Sequence, residues 1–115
     1  MPILQLLKII STLATIGVGL VSLFRPRYVL GFTGLQAPGA RGISEIRAIL
    51  GGLFIALGLA PLLLNDPAAY RMLGIANVGI AAARAISMFV LDNVVTPTNS
   101  TSLVFEVAFG VILLL

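Results

Sequence analysis

The sequence predicts an all-α protein, a four-helix transmembrane bundle, and three observations lead to this prediction. Of its 115 residues, 59% are hydrophobic and only 10% are charged, and the mean hydropathy is +1.14. A soluble domain of this length could not bury so much apolar surface. Four apolar stretches alternate with polar breaks, and a helix needs roughly 20 such residues to cross a bilayer. Small residues recur within these stretches, which is typical of helices that pack closely in lipid.

The predicted membrane spans are residues 3–24, 43–64, 67–91 and 101–115, within a single domain of residues 1–115. The first span ends at Arg25-Pro26-Arg27, and glycines and prolines make the following segment a loop, in which a short interfacial helix can form around residues 27–32. Asp66 and Pro67 suit the N-cap and first position of the third helix.

The fourth apolar stretch, residues 103–115, is shorter than the other three. Its length as a helix is about 20 Å, less than the roughly 30 Å of a hydrocarbon core. Either this helix begins earlier or the chain continues beyond Leu115. We expect the second alternative, so that the fourth helix is incomplete at its C-terminus.

The residues that the chain lacks exclude several chemistries. Without cysteine or histidine there is no thiolate nucleophile, no disulfide, no imidazole base and no usual ligand for zinc or haem. We therefore expect neither metal nor cofactor, and no enzymatic activity. The net charge of +3 is small and dispersed, which indicates no nucleic-acid partner and fits basic loops beside membrane lipids. The distribution of positive charge favours a cytoplasmic first loop.

Four ionisable residues are predicted to lie at a similar depth in the bundle: Glu45, Arg47, Arg84 and Glu106. Antiparallel helices bring the start of the second span, the end of the third and the start of the fourth to one side of the membrane. Because an unpaired ion in hydrocarbon is costly, we expect a neutral, paired network that holds the helices together. The alternative is a polar pocket for an ion, a proton or a substrate headgroup.

Small residues recur at every fourth position of the second span, at Ala48, Gly52, Ala56 and Ala60. On a helix this spacing forms one smooth stripe, against which another helix can pack. We expect the contact to lie within the monomer, with an oligomer interface as the alternative.

The stretch G-I-S-E-I-R-A-I-L-G-G at residues 42–52, with Arg84 and Glu106 in later helices, resembles an uncharacterised family of small four-helix bacterial membrane proteins. More distantly, the chain is similar to DoxX-type membrane proteins. The resemblance covers nearly the whole chain. It implies a four-helix bundle in the bacterial inner membrane and assigns no activity.

Three functions remain open from the sequence. The first, which we expect, is an accessory or structural subunit packed against a larger membrane protein assembly. The partners we expect are membrane lipids and either other membrane protein subunits or further copies of the chain. The second is an oligomeric small transporter or channel that uses the Glu/Arg cluster as its site. The third is a lipid- or quinone-linked membrane enzyme, which would have to rely on carboxylates alone.

Overall fold

The computed structural model describes residues 2–115, which form five helices and no strand. The helices are α1 (Pro2–Phe24), α2 (Pro26–Thr33), α3 (Ala40–Leu64), α4 (Pro67–Leu91) and α5 (Pro97–Leu114). All except α2 are long and apolar enough to cross a membrane. The all-α class with four candidate membrane spans is therefore confirmed, and it is the fold of a multi-pass membrane protein.

Two local predictions are confirmed, the start of α4 and a short helix in the first loop. The side chain of Asp66 caps α4 by accepting a hydrogen bond from the backbone N–H of Ala68 at 2.8 Å, and Pro67 occupies the first helical position. The first loop does contain a short helix, α2. Helix α3 begins at Ala40, three residues before the predicted start.

The predicted start of the fourth helix at residue 101 is wrong, because α5 begins at Pro97. Thr96 caps it by accepting a hydrogen bond from the backbone N–H of Asn99 at 3.2 Å. Proline is well tolerated in the first turn, where its missing N–H would have no helical partner. The helix has 18 residues and is about 27 Å long at 1.5 Å per residue. The fourth helix thus begins earlier than predicted, and the expected continuation of the chain beyond Leu115 stays a prediction.

Helices α3 and α4 each include a stretch in which hydrogen bonds join residues five apart, the π-helical pattern. These stretches are Ile46–Leu53 in α3 and Ser87–Leu91 in α4. The backbone N–H of Asp92 closes the second stretch by donating to the carbonyl oxygen of Ser87 at 2.8 Å. Such stretches are rare and often lie at functional sites.

The chain divides into two compact units. In the unit Thr12–Asn65, α1 and α3 approach each other at glycines. A Cβ atom added to Gly19 would lie 2.8 Å from the carbonyl oxygen of Gly51, and one added to Gly58 would lie 2.9 Å from that of Thr12. Backbone this close admits no larger side chain, so these glycines determine how the two helices pack.

The other unit takes in the start of the chain up to Ser11 together with Asp66–Leu115. Here α4 and α5 form a helical hairpin, with Gly74 and Gly110 at their close approach. Met88 and Leu113 are buried. Most other large apolar side chains of the hairpin are exposed, as expected for helices that face lipid.

Candidate functional site

The strongest polar interaction in the α4–α5 hairpin joins Arg84 to Glu106. The guanidinium Nε donates to both carboxylate oxygens, at 3.0 and 2.8 Å, and Nη2 donates to Oε1 at 2.7 Å. The two side chains are 31% and 14% exposed, respectively. A two-pronged, charge-assisted contact of this kind is stronger and more directional than a neutral hydrogen bond. It fixes the register of α4 against α5.

Asn99 is a third member of this site. Its Oδ1 accepts a hydrogen bond from Nη1 of Arg84 at 2.7 Å, and its Nδ2 donates to the carbonyl oxygen of Val94 at 2.9 Å. The amide therefore connects the guanidinium to the loop before α5. The sequence-based prediction missed this role because Asn99 lies before residue 101, where the fourth span was predicted to begin. The available signal was the position of Asn99 in the first turn after Pro97, two turns before Glu106.

Arg84, Glu106 and Asn99 form a group with no net charge, in which Arg84 donates hydrogen bonds to the other two. One cation faces one carboxylate, and the amide accepts from the guanidinium nitrogen that points away from the carboxylate. Throughout residues 2–115, no buried side-chain nitrogen or oxygen lacks a hydrogen-bond partner. A pair satisfied in this way is suited to holding two helices together in a medium of low dielectric constant.

The other two predicted charges lie in the unit Thr12–Asn65. Glu45 pairs with Arg41, which is four residues earlier on the same helix, and both side chains are exposed. Residues four apart are neighbours on a helix surface, whereas residues two apart, such as Glu45 and Arg47, point in different directions. Glu45 was expected to pair within the network of four intramembrane charges. It pairs with Arg41 instead, which was not among those four.

Arg47 has a different role, since it connects α3 to the end of α1. One of its terminal nitrogens donates to the carbonyl oxygen of Leu23, in the last turn of α1. The last carbonyl groups of a helix have no partner within the helix, and a cation is favoured at that end. Arg47 thus satisfies a carbonyl of α1 and anchors it to α3.

The predicted packing stripe does not form the contact within the unit Thr12–Asn65. Ala48, Gly52 and Ala56 are exposed and Ala60 is half-buried, whereas Gly51 makes the close approach to α1. Neighbouring residues on a helix differ by about 100° in direction. Two adjacent glycines therefore lie on different faces, and α1 packs on the face of Gly51. The stripe is left open.

No group of three or more acidic, histidine or cysteine side chains that could hold a metal ion is present among residues 2–115. No curated protein and no solved structure matches the chain. A family model does match, and it covers residues 3–115. The chain therefore belongs to the family described as Domain of unknown function (DUF4345).

Proposed function

We propose that this protein is an accessory or structural subunit of a larger membrane protein assembly, in the bacterial cell membrane. The observation that carries the proposal is the open stripe of Ala48, Gly52, Ala56 and Ala60 on α3. A Cβ atom added to Gly52 would meet only one atom within 4 Å, the carbonyl oxygen of Arg47 at 3.9 Å. A second helix can therefore approach this face closely, which is how small-residue faces associate in membranes.

The charged residues support a structural role over transport. A coupled transport site needs a group that gains or loses charge during its cycle. Glu106 is instead engaged by two nitrogens of Arg84, and Arg84 is also bound to Asn99. Releasing the carboxylate would strand the guanidinium, which is costly in the membrane. The same arrangement, with the lack of histidine and cysteine, supports the proposal that the protein is not an enzyme.

Affinity purification in mild detergent tests the proposal with a matched pair of variants. Gly52→Leu fills the open stripe on α3. Gly79→Leu makes the same change on α4, where an added Cβ atom meets nothing within 4 Å. We expect the wild type and Gly79→Leu to recover the same membrane protein in fixed stoichiometry. Gly52→Leu should lose it while keeping its own thermal stability.

Two outcomes would contradict the accessory role. The first is recovery of the chain without any other membrane protein, as a monomer or as a homo-oligomer. The second is substrate-dependent flux into sealed vesicles that a stably folded Glu106→Gln variant abolishes. That result would support the transporter, because glutamine keeps the shape of the side chain and removes its charge.

A further inference from the structure

Three arginines converge where α1 ends and α3 begins. Arg25 and Arg27 lie on either side of Pro26 at the start of α2, and Arg47 reaches this place from α3. Together they line a groove of about 510 Å³, whose other walls are Phe24, Pro26, Tyr28 and Ile43. In the sequence these arginines lie apart, two after the first span and one in the predicted intramembrane cluster. The fold brings them to one site.

The positive charge of this groove is not neutralised by the protein. The two ion pairs among residues 2–115 are Arg41–Glu45 and Arg84–Glu106, and neither includes an arginine that lines the groove. Arg47 uses one nitrogen for its contact with α1, and a guanidinium has five N–H donors. The site therefore presents three cations with free donors, and phosphate oxygens are the acceptors that arginine matches best.

The ends of two helices add to this charge. The N-terminal positions before α2 and α3 are Arg25 and Gly39, neither helix has a side-chain cap, and neither has an acidic residue in its first turn. The positive ends of both helix dipoles therefore favour an anion. A second groove, of about 570 Å³, joins Arg27 and Arg47 to Gly39 and Ser44 at the start of α3.

The apolar walls indicate what kind of anion can occupy the groove. Phe24 and Tyr28 are 66% and 67% exposed, and the apolar part of α1 ends beside them. The amphipathic ring of a tyrosine prefers the boundary between hydrocarbon and headgroups. A molecule bound in the groove would thus place its anionic group among the three arginines and its apolar part beside the acyl chains of the membrane.

We propose that this groove binds the headgroup of an anionic phospholipid, with Arg25, Arg27 and Arg47 facing its phosphate. The site is independent of the stripe on α3 and does not require the partner proposed above. It also gives Arg47 two simultaneous roles, because the contact with the carbonyl oxygen of Leu23 holds the guanidinium in place while its other donors face the lipid. A guanidinium held in this way loses less rotational freedom on binding.

Native mass spectrometry of the purified protein with added phosphatidylglycerol or phosphatidylcholine tests this inference. We expect the wild type to retain phosphatidylglycerol preferentially. Each interfacial arginine contributes about a fivefold gain in affinity for an anionic lipid. Arg27→Gln should therefore weaken retention about fivefold, and Arg25→Gln/Arg27→Gln about 30-fold. Arg71→Gln removes the same charge from an exposed position on α4 and should leave retention unchanged.

Thermal melting in detergent separates a lipid site from a site for soluble anions. Phosphatidylglycerol should raise the melting temperature of the wild type, and inorganic phosphate at the same concentration should not. Equal retention of the two lipids would overturn the proposal. An equal loss in Arg71→Gln would also overturn it, since the effect would then be one of net charge. Stabilisation by inorganic phosphate alone would assign the groove to a soluble anion instead.

Discussion

Replacing Arg84 by alanine should destabilise the α4–α5 hairpin strongly. The substitution removes three hydrogen bonds to Glu106 and one to Asn99, and it leaves a carboxylate that is only 14% exposed without its partner. Breaking a fully buried ion pair costs about 3–5 kcal/mol. Because Arg84 itself is 31% exposed, we expect a smaller loss in the free energy of unfolding, about 2–3 kcal/mol.

Unfolding in mixed detergent micelles, with Arg71→Ala as the control, measures this loss. Arg71 lies on the same helix and is exposed, so its removal should change the free energy of unfolding by about 0.5 kcal/mol or less. Arg84→Lys should recover only part of the difference, because an ammonium keeps the charge but lacks the planar fork. Equal stabilities of Arg84→Ala and Arg71→Ala would refute the interpretation of Arg84 as a structural anchor.

Two further predictions concern helix packing and capping. Gly58→Leu should lower the thermal stability of the isolated protein far more than Gly52→Leu does, because a Cβ atom at Gly58 would lie within 3 Å of the α1 backbone and one at Gly52 would not; similar melting temperatures would contradict the packing of α3 on α1. Thr96→Ala removes the side-chain cap of α5 and should cost about 1 kcal/mol in the free energy of unfolding, whereas an unchanged value would mean that the cap adds no stability.

Much of the fold follows from local sequence signals. Uninterrupted apolar stretches define the four spans because lipid requires apolar surface and helical hydrogen bonding over a full crossing. Asp66 and Pro67 mark the start of α4 because capping depends only on neighbouring residues. The start of α5 was missed for a related reason. The predicted span began at residue 101, within the apolar stretch, although a proline such as Pro97 suits the first position of a helix.

The candidate site could be predicted only in part. The placement of Arg84 and Glu106 at similar depth follows from antiparallel helices, and they do form a pair. The partner of Glu45 depends on which charges share a helix face, and the contact of Arg47 with a carbonyl oxygen involves no side-chain partner that a sequence could indicate. The π-helical stretch Ile46–Leu53 changes the direction in which the neighbouring side chains point. No residue type in the sequence predicts such a stretch.

The pairing of Arg84 with Glu106 also bears on how the chain enters the membrane. Helix α5 is the least apolar of the four long helices, with a mean hydropathy of 1.3, against 1.7 for α4, and it carries Glu106 near its middle. A single carboxylate at the centre of a helix opposes insertion by about 2.5–3.5 kcal/mol, and an arginine does the same. Neither charge is neutralised until both helices have left the ribosome and lie side by side. We therefore expect the α4–α5 hairpin, and not the single helix, to be the unit that inserts during synthesis.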